Sequence, residues 1–281
     1  MFRRNVDCRP FKNLSSFRKI SLATWRTPED SSVYGSLEIR ARKALELIEA
    51  IREQTGVKVT ITHLIVKGVA HTLAKHPELN VLIRGRKLYL RNTVDIFLQV
   101  FLEEGGKADL SGAKIENADK KSVVEIAQDL EKKAGSLRRG EKKEVKKTQS
   151  LFSRLPVRVI GWLIQFTGFL IYDLNWDLSR FGIQKDPFGG VMITNVGMFG
   201  LQLGHAPLVP YSRVPMIFAI SAIEDKVVVE NGEIRVEPVF HIGGTADHRI
   251  IDGYLAGIAA KTLKTALEDP WTHLAPPEIK K

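Results

Sequence analysis

Residues 245–253 read TADHRIIDG: a histidine in a turn of small residues, followed four positions later by an aspartate and then a glycine. The spacing sets a proton-accepting ring one helical turn from a carboxylate that can open a helix. An unperturbed imidazole titrates near about 6.5, so most of it is free base at neutral pH. A base must also be aimed, and Asp252 is suited to that task by organising the loop through a basic partner rather than by touching the imidazole. Two plainer readings compete: His248 capping the next helix, or His248 binding a metal together with His241. The H-x6-H-x3-D spacing matches no compact zinc pattern and the chain carries a single thiol, Cys8, so no metal is expected. Taken alone, H-x-x-x-D-G is short enough for chance to supply, and its surroundings have to decide.

Outward from the motif, the chain alternates between helical and strand periods. After Asp252, Leu255, Ile258, Ala259, Leu263 and Leu267 keep helical spacing up to Asp269 and Pro270. Before it, IRVEPVFHI at 234–242, MIFAISAI at 216–223, VMITN at 191–195 and IFLQVFL at 96–102 are short, apolar and rich in strand formers. Asn231-Gly232 tolerates the positive φ angles of a tight hairpin. Further upstream, a helix is expected from Ala41 to Ile51, ending at Thr55-Gly56. A second is expected with Thr62 as its cap and Ile65, Val66, Val69, Ala70, Leu73 and Ala74 as its stripe, stopped by Pro77. A third spans Lys121 to Ala134. The pattern predicts mixed α and β structure.

With 281 residues and 44% hydrophobic content, the chain can bury one large core or two small ones. A lone cysteine excludes a disulfide framework, and MFRRNVDCRPFKNL lacks the apolar run of a signal peptide, so a cytoplasmic protein is expected. A net charge of +10 favours anionic partners. No nucleic-acid recognition motif accompanies it, so a phosphate-bearing small molecule is the better fit. Two segments break the rhythm. RRGEKKEVKK at 138–147 is a charge run of the kind found in linkers and solvated helix faces. LPVRVIGWLIQFTGFLIY at 155–172 is nearly continuous in apolar residues. It approaches the length of a membrane span, but Arg158, Gly161 and Gly168 weaken that reading. A buried helix or a subunit contact is preferred, and a membrane-surface helix is the remaining reading.

The motif does not stand alone. ITNVGMFG at 193–200 precedes it and LEDP at 267–270 follows it. FRKI at 17–20, VTITHLIVKGVAHTLAKHPELN at 59–80 and ENADKKSVVEIAQDL at 116–130 lie upstream in the same order. Together, over most of residues 12–270, these resemble the catalytic domain of the 2-oxoacid dehydrogenase acyltransferases, within the chloramphenicol acetyltransferase superfamily. Asp247, where the peptide-condensation branch carries a second histidine, agrees with the dehydrogenase branch. The resemblance implies an α/β fold, an α+β sandwich of mixed sheet with flanking helices. It also implies homotrimers with active sites at subunit boundaries.

Carried over by position, His248 would deprotonate an attacking thiol and Thr194 would donate its hydroxyl to the oxyanion. Asp252 matches the family's structural aspartate, with Arg18 as its partner. Asn195 and Gly197 would shape the strand end where a side chain would crowd the substrate, and Gly253 would support the loop. Coenzyme A or acyl-CoA is the implied co-substrate. The sequence shows no lipoylation motif or subunit-binding domain, so a separate lipoyl-bearing or acyl-carrier protein is expected as partner. The whole of 1–281 reads as one catalytic domain with an apolar insertion at about 150–187. The tail WTHLAPPEIKK differs from the apolar ending of large cubic cores, which favours a free trimer. The expected function is transfer of an acyl group between coenzyme A and a thiol acceptor, dihydrolipoyl-like or other. The alternative is a non-catalytic trimeric scaffold, which the presence of both His248 and Thr194 disfavours.

Overall fold

A computed structural model describes residues 30–84, 87–104, 107–138 and 156–281. Cys8, Arg18 and most of the basic run lie outside these residues. Among the described residues, seven strands make one mixed sheet, in the order β1-β9-β7-β6-β4-β5 with β8 paired to β9. The strands are β1 (Ser32–Arg40), β4 (Ile96–Glu104), β5 (Lys107–Ile115), β6 (Val191–Asn195), β7 (Met216–Ile220), β8 (Glu224–Glu230) and β9 (Glu233–Asp247). The pairs β4·β6 and β6·β7 are parallel and the rest antiparallel. A separate ribbon joins β2 (Val81–Arg84) to β3 (Lys87–Leu90).

Helices α1 (Arg42–Thr55), α2 (Ile61–Lys75), α3 (Val123–Arg138) and α5 (Gly253–Glu268) contribute to one core with the sheet. Leu47, Leu64, Ile65, Ile96, Ile115, Ile126, Ile193 and Phe240 are fully buried there. A short helix, α6 (Pro270–His273), follows α5. The opposite face of the sheet carries a smaller cluster of Met192, Val214 and Ile217. A strand's side chains alternate between faces, so Ile193 joins the helix-side core while Met192 and Thr194 face the other way.

Several expectations change. β9 runs through Gly243 and Gly244 to Asp247 because both of its sides are paired there, Asp247 with Ser32 of β1 and Ala246 with Met216 of β7. Thr245 and Ala246 therefore belong to a strand, and the turn begins at His248. β7 stops at Ile220: the Ser221 N–H still donates to the His241 carbonyl, but the His241 N–H returns to Ser221 Oγ at 2.7 Å instead of to its carbonyl. Helix α2 is capped by Thr60, not Thr62. Thr60 has the extended backbone of a cap, and its N–H donates to His63 Nδ1 at 3.1 Å. Thr62 lies inside the first turn, where its hydroxyl accepts a hydrogen bond from Asn195 Nδ2 at 3.0 Å.

The apolar segment is helical but not buried within one chain, which leaves the subunit contact and the membrane-surface helix. It forms α4 (Val157–Gly168) and a π-helical turn at Phe169–Asp173. A buried helix is ruled out for one chain, because Val159, Trp162, Phe166 and Phe169 are all exposed. No described helix is long and apolar enough to cross a membrane.

Candidate active site

His248 follows the last residue of β9, and its turn is built by its neighbour Asp247. Asp247 is buried, and its N–H donates to the Pro215 carbonyl at 2.9 Å. The Asp247 carbonyl accepts from the N–H groups of Ile250 and Ile251, at 3.0 and 2.9 Å. Its carboxylate accepts from the backbone N–H of Arg249 at 3.0 Å and from Arg249 Nε at 2.9 Å. That side-chain hydrogen bond raises the Arg249 guanidinium pKa further. One residue thus satisfies three backbone N–H groups of the turn. In sequence Asp247 only separates branches of the superfamily; its part in the turn follows from its burial.

The turn places the Ile251 carbonyl 2.9 Å from His248 Nδ1. A carbonyl accepts and does not donate, so Nδ1 carries the hydrogen and the neutral ring presents a bare lone pair at Nε2. Ile251 is itself buried, which fixes that carbonyl. His248 is exposed in the single chain. A ring held in this way can take a proton at Nε2.

Asp252 opens α5. Its backbone is extended and its Oδ1 accepts from the Leu255 N–H at 2.8 Å, a helix cap in the usual sense. Its proposed cation, Arg18, lies outside the described residues. Gly253 is the first residue of α5, and a Cβ there would meet no atom within 4 Å, so no close approach explains this glycine. His241, the partner that a metal site at His248 would need, sits 3.4 Å from Glu38 on β1. No group of metal-ligating side chains occurs among the described residues.

Thr194 is half-buried near the end of β6. Asn195 fixes that end, donating to Thr62 and accepting from the Met198 N–H at 3.3 Å. Gly197 shapes it for a different reason than expected. A Cβ there would fall 2.3 Å from the Ser221 carbonyl, so the crowding is with the backbone beyond β7 rather than with substrate.

The sheet register separates the two candidate catalytic residues. Thr194 pairs with Ala219, and Ala219 with Gly243. His248 lies five residues beyond Gly243, toward the opposite end of β6. At about 3.3 Å per residue and about 4.8 Å per strand, the two are roughly 15–20 Å apart within one chain. That is far beyond the reach of a single reacting carbon.

The fold and the outward-facing histidine turn define a recognisable class. The sequence profile described as 2-oxoacid dehydrogenases acyltransferase (catalytic domain) matches residues 19–153 and 186–275. The chain belongs to that family. It is 28% identical over 222 residues to the dihydrolipoyllysine-residue succinyltransferase component of the 2-oxoglutarate dehydrogenase complex of Cupriavidus necator, covering 79% of this chain and 42% of that protein. The chain therefore spans less than half the length of that curated relative. Among solved structures, it resembles the cubic core of the pyruvate dehydrogenase multienzyme complex with a TM-score of 0.65 at 19% identity, over 88% of this chain and 85% of that one. It also resembles the dihydrolipoamide acetyltransferase of Azotobacter vinelandii, with a TM-score of 0.62 at 17% identity over 96% and 94% of the two chains. That structure comes from work on a serine, a histidine and an asparagine in its catalytic mechanism, the asparagine four positions after the histidine.

Proposed function

We propose that this chain is an acyltransferase that moves an acyl group between coenzyme A and a thiol acceptor, with His248 as general base. The observation that carries the reading is the hydrogen bond from His248 Nδ1 to the Ile251 carbonyl, which leaves Nε2 free to take a proton. In the direction of acyl-CoA synthesis, Nε2 removes the thiol proton of coenzyme A. The resulting thiolate attacks the carbonyl carbon of an acyl thioester, forming a C–S bond and a tetrahedral oxyanion. Collapse breaks the other C–S bond, and the imidazolium returns its proton to the departing thiolate. Since a free thiol titrates near about 8.5, it is mostly protonated at neutral pH and needs such a base.

The Thr194 hydroxyl donates to the oxyanion from a neighbouring copy of the chain. The register supports that division, because it keeps Thr194 and His248 too far apart to serve one carbon within one chain. The working unit is then a homotrimer with its sites between subunits. A separate lipoyl-bearing or acyl-carrier protein presents the second thiol. Residues 154–185, between the two stretches that match the family profile, form an insertion in this catalytic domain. Asp252 stands four positions after His248, the same spacing as between the histidine and asparagine of the A. vinelandii enzyme, and here it caps α5.

The direct test is a coenzyme A transfer assay with acyl-dihydrolipoamide donors of different chain length. With an accepted donor, His248→Ala lowers kcat by about 10²–10⁴-fold while melting temperature and oligomer mass stay unchanged. Near-native turnover by that variant would rule the mechanism out.

A further inference from the structure

We infer that the aromatic face of α4 rests on an anionic lipid surface and holds the molecule at a membrane. The face is built into the helix: Val159, Trp162, Phe166 and Phe169 recur at steps of three, four and three, so they share one side. That side is turned to solvent. Trp162 is 61% exposed, and its ring lies parallel to that of Phe166, with centroids 5.2 Å apart. Beyond the helix, Leu174, Trp176 and Phe181 are exposed too, Phe181 by 80%. An aromatic helix face this exposed marks an interaction site rather than scattered ordinary exposure.

The orientation is fixed from behind. Tyr172 is buried, and its carbonyl accepts from Arg84 Nε at 3.0 Å. The Asp173 carboxylate pairs with Arg213 at 2.9 Å. The segment is therefore anchored to the body with its aromatic side outward. Residues 154–185 also fall between the two stretches matching the family profile, so the features shared by the family do not account for this surface.

Length and charge select the occupant. Twelve residues of helix span about 18 Å against the roughly 30 Å of a hydrocarbon core, so α4 can lie on a bilayer but not cross it. Tryptophan and phenylalanine beside arginine suit the boundary between headgroup and acyl chain. Residues 151–172 contain no acidic side chain, and the preceding run 138–147 carries six basic residues against two glutamates, while beyond the helix Asp173 is paired with Arg213 and Asp177 is exposed. Arg158 and Arg180 flank the face and are exposed. Two copies meeting face to face would juxtapose these charges on chains of net +10 each, whereas an anionic headgroup layer offers the opposite sign.

Flotation of the intact protein with phosphatidylcholine vesicles, with and without phosphatidylserine, tests this at low and high salt. Binding is expected with phosphatidylserine, weakening as salt rises. Combined Trp162→Gln, Phe166→Gln and Phe169→Gln substitutions should lower the bound fraction about tenfold, while the melting temperature and oligomer mass remain those of the unsubstituted protein. The inference is overturned if no phosphatidylserine vesicle binds at low salt, if the triple variant binds as well as the original, or if binding ignores the anionic lipid. It is equally overturned if the triple variant loses mass as an oligomer, since the face would then join copies of the chain.

Discussion

In the proposed mechanism, two adjacent residues have different tasks. His248 contributes the ring, and Asp247 contributes the turn that brings the Ile251 carbonyl to Nδ1. The histidine was legible in TADHRIIDG together with the surrounding family-like segments. Its tautomer was not, because the acceptor is a backbone oxygen placed by the conformation of the turn. Asp252 can be separated into two roles by substitution. Both Asp252→Asn and Asp252→Ala remove the charge that a cationic partner needs, but asparagine retains the cap on the Leu255 N–H. Asp252→Ala should therefore cost about 1 kcal/mol of stability, read by chemical denaturation, while Asp252→Asn costs little. If the carboxylate also orients the loop through Arg18, both variants lose activity. An asparagine variant with full activity would reduce Asp252 to a helix cap.

At the scale of elements, the sequence was most legible where the sheet is buried on both faces. β6, β7 and the middle of β9 are short apolar runs that stand out without an alternating pattern. β1 and β5 were not foreseen, and both are edge strands of the sheet path. Edge positions tolerate glycine and polar residues, so SVYGSLEIR and KADLSGAKI look like loops until their partners are known. The cap of α2 was misplaced by two residues because THL and VTI both offer a threonine, and the choice was made by His63 reaching back to the Thr60 N–H. The burial of His63 has a measurable consequence. Burial, aided by Arg52, pushes the His63 pKa down to about 4, so the folded state binds the proton less readily than the unfolded chain. This group therefore leaves stability untouched above pH about 6.5 and lowers it as pH falls toward about 4, by up to about 3 kcal/mol. His63→Gln, which keeps an acceptor at the same helical position, should remove this share of the acid sensitivity in melts between pH 7 and 4. His71, also pushed down by burial and by His273, would retain its own. An unchanged pH dependence in His63→Gln would contradict the assignment.

For the whole molecule, the account depends on a separation that only topology reveals. Sequence order places Thr194 and His248 in motifs of the same family, yet the parallel pairing of β6 with β7 and the antiparallel pairing of β7 with β9 send them toward opposite ends of the sheet. In the proposed mechanism a single chain therefore holds two halves of a site without a whole one, and closed threefold association would unite each histidine with a neighbour's threonine. Co-refolding His248→Ala with Thr194→Ala tests this most directly, since each homotrimer is inactive by itself. Under random assembly three-quarters of trimers are mixed, and each mixed trimer regains one native site of three, so about a quarter of the original activity should return. Mixing the folded proteins without unfolding should restore activity only as fast as subunits exchange. Trimers shown by native mass spectrometry to contain both variants and yet remaining inactive would contradict the shared site.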